Sequence, residues 1–144
     1  MNRKQFQEYV DHFNNKRYDA VTSYFTPDIA VEYFTNWTNP NEPPRTLHGP
    51  QGFIASYKVL HEHVKEVMEL RDFMTDGDLL FAELYTEFHC FKDYPTTSFM
   101  PLKKGDVVVM TNWVVYNTTK DDKMRRIRIA HFRLHDSKLA KFSK

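Results

Sequence analysis

An α+β domain is what the sequence predicts, with helices near the N-terminus packed on a mostly antiparallel sheet. Three observations carry this. Apolar residues recur at helical spacing near residues 6–13 and 53–64, the period changes to two from about Glu66, and turn signals then divide the chain into four strands.

Phe6, Tyr9, Val10 and Phe13 at i, i+3, i+4 and i+7 give the first helix. Asp19 is expected to cap a short second helix carrying Val21, Tyr24 and Phe25, with Pro27 closing it and Ile29 to Phe34 running as a strand. Residues 35–48, with Pro40, Pro43, Pro44 and little periodicity, read either as a lid-like loop or as a plain surface connection. Gly49-Pro50 starts the next helix, with proline at its first position, and Phe53, Tyr57, Leu60 and Val64 form its buried stripe.

Val67 to Met74 reads as a strand, Thr75-Asp76-Gly77-Asp78 as a hairpin turn, and Leu79 to Phe91 as a long strand. After a loop over 92–105 come strands Val107–Thr118 and Met124–His135, joined by the turn 120–123. The polar tail from Asp136 to Lys144 is expected to fray. Nothing marks a repeat or a second domain, so residues 1–144 read as one.

On the strand around Asn112, Val108, Met110, Val114 and Tyr116 face one way and Val107, Val109, Trp113 and Val115 the other. Both faces are apolar, so both are expected to be buried. One layer of helices covers only one of them. A homodimer through the sheet is the expected cover for the other.

With 41% hydrophobic residues, 12 Phe and 8 Tyr, the chain is too apolar for disorder. A net charge of +1 supplies no global field for nucleic acid or an anionic membrane, so neither partner is expected. The cluster Lys123, Arg125, Arg126, Arg128 and Arg133 fits a solvated edge strand better than an anion site. Cys90 is the single cysteine, which excludes an intrachain disulfide. The first residues are polar, and no run approaches the roughly 20 apolar residues of a membrane span. A soluble, cytoplasmic protein is expected, with the sequons at Asn36 and Asn117 coincidental.

Gly49, Gly52, Gly77 and Gly105 form no dinucleotide or P-loop pattern, so no cofactor is expected. The pair in His61-Glu62-His63 would point about 200° apart on a helix, so no metal is expected there. His89 and Cys90, adjacent on a strand, point to opposite faces and make no dyad; Cys90 reads as a small buried apolar residue.

The run from Tyr9 to Tyr33, helix, bend, short helix and strand, resembles the opening of the NTF2-like cone fold. Within it, the SnoaL-like, ketosteroid isomerase and scytalone dehydratase branches are the nearest in kind. The resemblance implies N-terminal helices packed on a strongly bent, mostly antiparallel sheet that wall off a small-molecule pocket. Shared with scytalone dehydratase in residues 9–33 are Asp11, Lys16, Asp19, Pro27 and Tyr33. Tyr33 falls on that enzyme's substrate-polarising tyrosine, His89 on its strand histidine and Asn112 on its pocket asparagine. Asn14 stands where it has its catalytic aspartate and Phe13 where it has a tyrosine; its second histidine is missing, with Glu69 and Arg71 nearby. Against ketosteroid isomerase, Tyr9 falls on the oxyanion-hole tyrosine, Tyr33 replaces the general base and Val114 the second acid. The SnoaL-like cyclases' aspartate at that last position is lost too.

The resemblance therefore implies His89 as the proton-transfer residue, Tyr33 and Tyr9 as donors to a developing oxyanion, and Asn112 as the group that orients substrate. Glu87, two residues from His89, would orient its imidazole or act as a base. Phe13, Asn14, Trp37, Tyr57, Tyr85, Glu87, Met110, Val114 and His131 complete the expected pocket. Strand 79–91 carries a conflict: alternation puts the apolar residues Leu80, Ala82, Leu84, Phe88 and Cys90 inside, whereas the family register puts Tyr85, Glu87 and His89 there. The reading adopted follows the family register, with a β-bulge as a way to satisfy both.

Expected from this is a cofactor-independent enzyme that isomerises, cyclises or dehydrates a small apolar carbonyl compound, such as a polyketide, by proton transfer. A dimeric ligand-binding or adaptor module is the alternative, favoured by the missing aspartates. Epoxide opening would need an acidic and basic cluster to which Glu69, Arg71 and Glu87 could contribute.

Overall fold

A computed structural model of the protein describes residues 1–34, 39–95 and 100–142. The chain runs α1 (Arg3–Asn14), α2 (Tyr18–Thr22), β1 (Phe25–Phe34), β2 (Arg45–His48), α3 (Gly49–His61), β3 (Val64–Asp76), β4 (Leu79–Cys90), β5 (Val107–Thr118) and β6 (Met124–His135), ending in a 3-10 turn at Ser137–Leu139. The six strands form one sheet in the order β2-β1-β6-β5-β4-β3. Its pairs are antiparallel except β1 with β6.

A capping box starts α1: the Asn2 side chain accepts from the Gln5 amide, and Gln5 Oε1 accepts from the Asn2 amide. Its stripe Phe6, Tyr9, Val10 and Phe13 is buried, as the spacing requires. Helix α2 differs from expectation. Arg17 is its N-cap and makes no side-chain cap, while Asp19 sits inside the first turn, where its charge suits the helix dipole. Phe25 and Pro27 already belong to β1. The β1–β6 register shifts between Phe25 and Ala30, so Pro27 lies where no ladder bond is asked of it.

Part of the expected loop 35–48 is a strand. Arg45–His48 pairs with β1 in the register Tyr33↔Arg45 to Ala30↔His48. Four residues are too few for a period to show in sequence. Helix α3 ends at His61, so Val64, expected on its stripe, opens β3 instead. The β3–β4 hairpin closes at Asp76↔Leu79 around Gly77, whose φ of +59° suits glycine. Strands β5 and β6 have the bounds read from sequence. Bulges at Leu70/Phe73 and Thr111/Asn112 bend the sheet around the helices.

All three helices pack on one face. Phe6 and Val21, fully buried, meet Ala82, Met124 and Ile127 of the sheet in the main core. A smaller cluster at the other end joins Leu60, Val64, Phe88, Cys90 and Met110. The tail is not frayed over its described residues: the amides of Lys141 and Phe142 donate to the Glu87 carboxylate. On the outer face of the sheet Trp113 and Phe132 stack at 3.8 Å yet stay 40% and 50% exposed. That face of β5 is therefore only partly covered within the chain. Among the described residues no helix is long and apolar enough to cross a membrane.

Candidate functional site

The alternation along β4 decides which side chains can meet a ligand. Leu80, Ala82, Leu84, Thr86 and Phe88 point to the helices. The antiparallel register puts Leu84 beside Asn112, and Asn112 beside His131 across the bulge. These residues, with α1 and α3 above them, enclose a cavity of about 90 Å³. One water needs only about 10–15 Å³ by such a measure, so there is room for several, or for part of a small ligand.

Most of the wall is apolar or aromatic: Tyr9, Phe13, Phe53, Val114 and Ile129 contribute. Polar groups interrupt it, and three sets of them bear on chemistry. The first is a phenol pair. Tyr33 of β1 and Tyr57 of α3 join hydroxyls at 2.5 Å. Burial pushes the Tyr33 phenol up to about 12, against the lowering effects of Tyr57 and Arg45, and raises Tyr57 well above its ordinary value. Both are protonated at neutral pH. Two O–H groups with one mutual bond leave one proton to donate to a ligand. The guanidinium of Arg45 lies 4.1 Å from the centre of the Tyr33 ring and also lines the cavity.

The second group is Asn112, whose Oδ1 lies 2.7 Å from His131 Nδ1 and whose Nδ2 donates to Thr86 Oγ1 at 3.4 Å. Burial, then the charge of Arg45, lowers the His131 pKa, so the ring is neutral at pH 7. Nδ1–H donating to Asn112 leaves Nε2 as an acceptor.

The third is Glu66. It pairs with Phe88 in the β3–β4 register and so shares the inner face. Only 8% exposed, it lines the cavity, and its charge is one of the causes that raise Tyr33 and Tyr57. Its Oε1 meets His61 Nε2 at 3.0 Å, and His61 Nδ1 meets the Tyr18 hydroxyl at 2.7 Å.

Among the residues expected from sequence, Tyr9, Tyr33, Asn112, Phe13, Tyr57, Val114 and His131 line this cavity. Others do not. His89, Glu87 and Tyr85 lie on the opposite face, because burial of the apolar residues of β4 decides the register over the family correspondence. There Glu87 accepts from the Tyr85 hydroxyl at 2.6 Å, meets His89 Nε2 at 2.7 Å, and holds the tail. Asn14 is at the sheet edge, where its side chain both donates to the Met68 carbonyl and accepts from the Met68 amide. Met110 packs in the smaller core cluster. Trp37 lies outside the described residues.

Glu66, His61 and Arg45 were missed in sequence. His61 does fall on the α3 stripe, four residues after Tyr57, and Glu66 alternates with Val64, Met68 and Leu70. A charged residue at an inward position was the available signal. The two histidines of the 61–63 triplet do diverge, His63 going to the Asp93 carbonyl.

Residues 6–141 match the SnoaL-like domain family. A search of the curated proteins finds no match. The chain is similar in structure to an NTF2-like protein of unknown function from Burkholderia pseudomallei, at 12% identity over 88% of this chain and 86% of that one, with a TM-score of 0.66. SalBIII, an epoxide hydrolase/cyclase-like enzyme in pyran ring formation in the polyether salinomycin, is 17% identical over 90% and 93% of the two chains, with a TM-score of 0.64. TerC, co-crystallized with polyporic acid, is 12% identical over 88% and 87%, with a TM-score of 0.65. Identities this low show the fold, which is the NTF2-like α+β cone.

Proposed function

We propose, from the premise that this chain belongs to the SnoaL-like domain family, that it is a cofactor-independent enzyme acting on a small, mostly apolar carbonyl compound by proton transfer. The observation that carries this is one carboxylate and one phenol pair on the same apolar cavity: Glu66 with Tyr33 and Tyr57. A carboxylate takes a proton from carbon next to a carbonyl, and a neutral phenol stabilises the enolate oxygen that results. Isomerisation, cyclisation and dehydration all pass through such a step. The polyether cyclase-like neighbour supports a secondary-metabolite substrate by likeness of fold.

Glu66 takes the part of base that the family correspondence assigned to His89. Tyr33, assisted by Tyr57, is the oxyanion donor, and Tyr9 is a further phenol on the same wall. Asn112, held by His131 and Thr86, positions the ligand. A homodimer is part of the proposal: the exposed Trp113–Phe132 stack, with Phe81 edge-on to Trp113, is the sheet face that a second copy covers.

The test is deuterium incorporation next to the carbonyl of small ketones in D2O, from cyclohexanone to 2-tetralone, followed by proton NMR. Glu66→Gln is expected to lower the rate by about 10²- to 10⁴-fold, and His89→Gln to leave it unchanged. Full exchange in Glu66→Gln refutes Glu66 as the base. Ketones that bind but exchange in no form of the protein favour the binding-module reading.

A further inference from the structure

We infer that His61 and Tyr18 connect Glu66 to solvent as a proton relay. The inference rests on Glu66 being the base. Three elements contribute one residue each: Tyr18 opens α2, His61 ends α3, and Glu66 lies near the start of β3. The links are 2.7 Å from Tyr18 hydroxyl to His61 Nδ1 and 3.0 Å from His61 Nε2 to Glu66 Oε1. His61 is 5% exposed and Glu66 8%, whereas Tyr18 is half-buried and reaches water. The chain of bonds therefore starts on the cavity wall and ends at the surface.

For solvent deuterium to reach a ligand carbon through a buried carboxylate, the carboxylate must exchange its own proton with solvent. Both nitrogens of His61 are engaged, one on each side. The ring is held between the stacked Tyr18, 5.9 Å away, and the edge-on Phe13, 5.6 Å away, with Tyr57 at 5.7 Å. Among the described residues, Glu66 Oε2 makes no hydrogen bond, which leaves one carboxylate oxygen for the ligand.

Proton balance is simple. With His61 protonated at Nε2, the imidazole donates to Glu66 and accepts from Tyr18. Moving the Tyr18 proton to Nδ1 while the Nε2 proton moves to Glu66 protonates the carboxyl, and water restores the phenol. In the reverse direction the Glu66 proton passes to Nε2, the Nδ1 proton to the Tyr18 oxygen, and the phenol proton to water. Each direction carries one proton and switches the His61 tautomer. The charged groups around the outer end are Glu62 and Lys58, whose Nζ is 5.9 Å from the Tyr18 ring; burial, then Glu66 from the inner end and Glu62, raise the Tyr18 phenol.

A structural histidine that only satisfies a buried carboxylate would leave the ketone exchange rate unchanged when the Tyr18 hydroxyl is removed. The exchange rate with 2-tetralone therefore decides, in the wild type, Tyr18→Phe and Glu66→Gln, alongside long-range proton–nitrogen NMR of His61 and the affinity for 2-naphthol. Expected are a proton on Nε2 in the wild type, a changed tautomer ratio in Tyr18→Phe, and an exchange rate about tenfold lower there with 2-naphthol affinity intact. Exchange that ignores Tyr18→Phe overturns the relay. If exchange is also lost in Glu66→Gln, the base stands and only the relay falls. Exchange that survives Glu66→Gln refutes the base, and the relay falls with it. Should Glu66→Gln fold poorly, Glu66→Asp keeps the charge and lengthens the link to His61, with the same readouts.

Discussion

The hydroxyls of Tyr33 and Tyr57 meet at 2.5 Å across the gap between β1 and α3. Each phenol lies in a largely apolar wall with the other as its hydrogen-bond partner, so the two behave as one polar unit. Tyr57→Phe leaves the Tyr33 hydroxyl short of that partner, at a cost of about 1–3 kcal/mol in stability. The Tyr33→Phe, Tyr57→Phe double variant is expected to cost less than the sum of the singles, because it removes the stranded hydroxyl. A thermodynamic cycle from urea melts measures this; additive costs would mean that the bond contributes nothing.

His131 and Arg45 share one side of the cavity. Burial is the larger cause of the lowered His131 pKa and the Arg45 charge the smaller. Arg45→Met is therefore expected to raise the His131 value only part of the way to the ordinary 6.5. Because the folded value is depressed, the unfolded chain takes up the proton first as pH falls. Stability from this group is complete above 6.5 and declines below it until the folded value is reached. A histidine titration by NMR in both proteins checks the shift; no movement in Arg45→Met would remove the charge as a cause.

On the outer face Glu87 holds the end of the chain. Burial would raise its pKa, but the Tyr85 hydroxyl, the Lys141 amide, His89 and the Phe142 amide outweigh it and lower the value below the ordinary 4.5. A depressed carboxyl stabilises fully above its unfolded value and loses that contribution as pH falls through the folded one. The tail is thus expected to stay docked at pH 5 and to loosen as pH falls below 4.5. Hydrogen exchange at Lys141 and Phe142 reads it directly. Glu87→Gln should loosen the same amides at neutral pH, and amides equally protected in both proteins would contradict this.

Asn14 closes the exposed edge of β3 by bonding both backbone groups of Met68. Asn14→Ala should cost about 1–3 kcal/mol and leave 2-naphthol binding unaltered, since the side chain does not line the cavity. A loss of binding with no loss of stability would put Asn14 back in the site.

Trp113 and Phe132 bring the dimer proposal to a test. Phe132→Glu places a charge at the centre of the aromatic stack. It is expected to turn a dimeric sedimentation profile into a monomeric one without loss of fold. A wild-type chain that sediments as a monomer at all concentrations overturns the dimer.

The sequence by itself determined the order of the helices and of the strands other than β2, because periods of 3.6 and 2 are set by which residues must leave water. It determined the α1 stripe, the Gly77 hairpin and the bounds of β5 and β6 for that reason. It also contained the answer to the β4 conflict. The alternation of Leu80, Ala82 and Leu84 pointed the apolar side inward, and their burial outweighs a correspondence of single residues. Only the tertiary structure decided the rest. Arg45 reaches the cavity because a four-residue strand pairs with β1. Glu66 joins the site because the β3–β4 register turns it inward beside Phe88, where His61 at the end of α3 meets its carboxylate. Both depend on how separate elements meet, which no local period encodes.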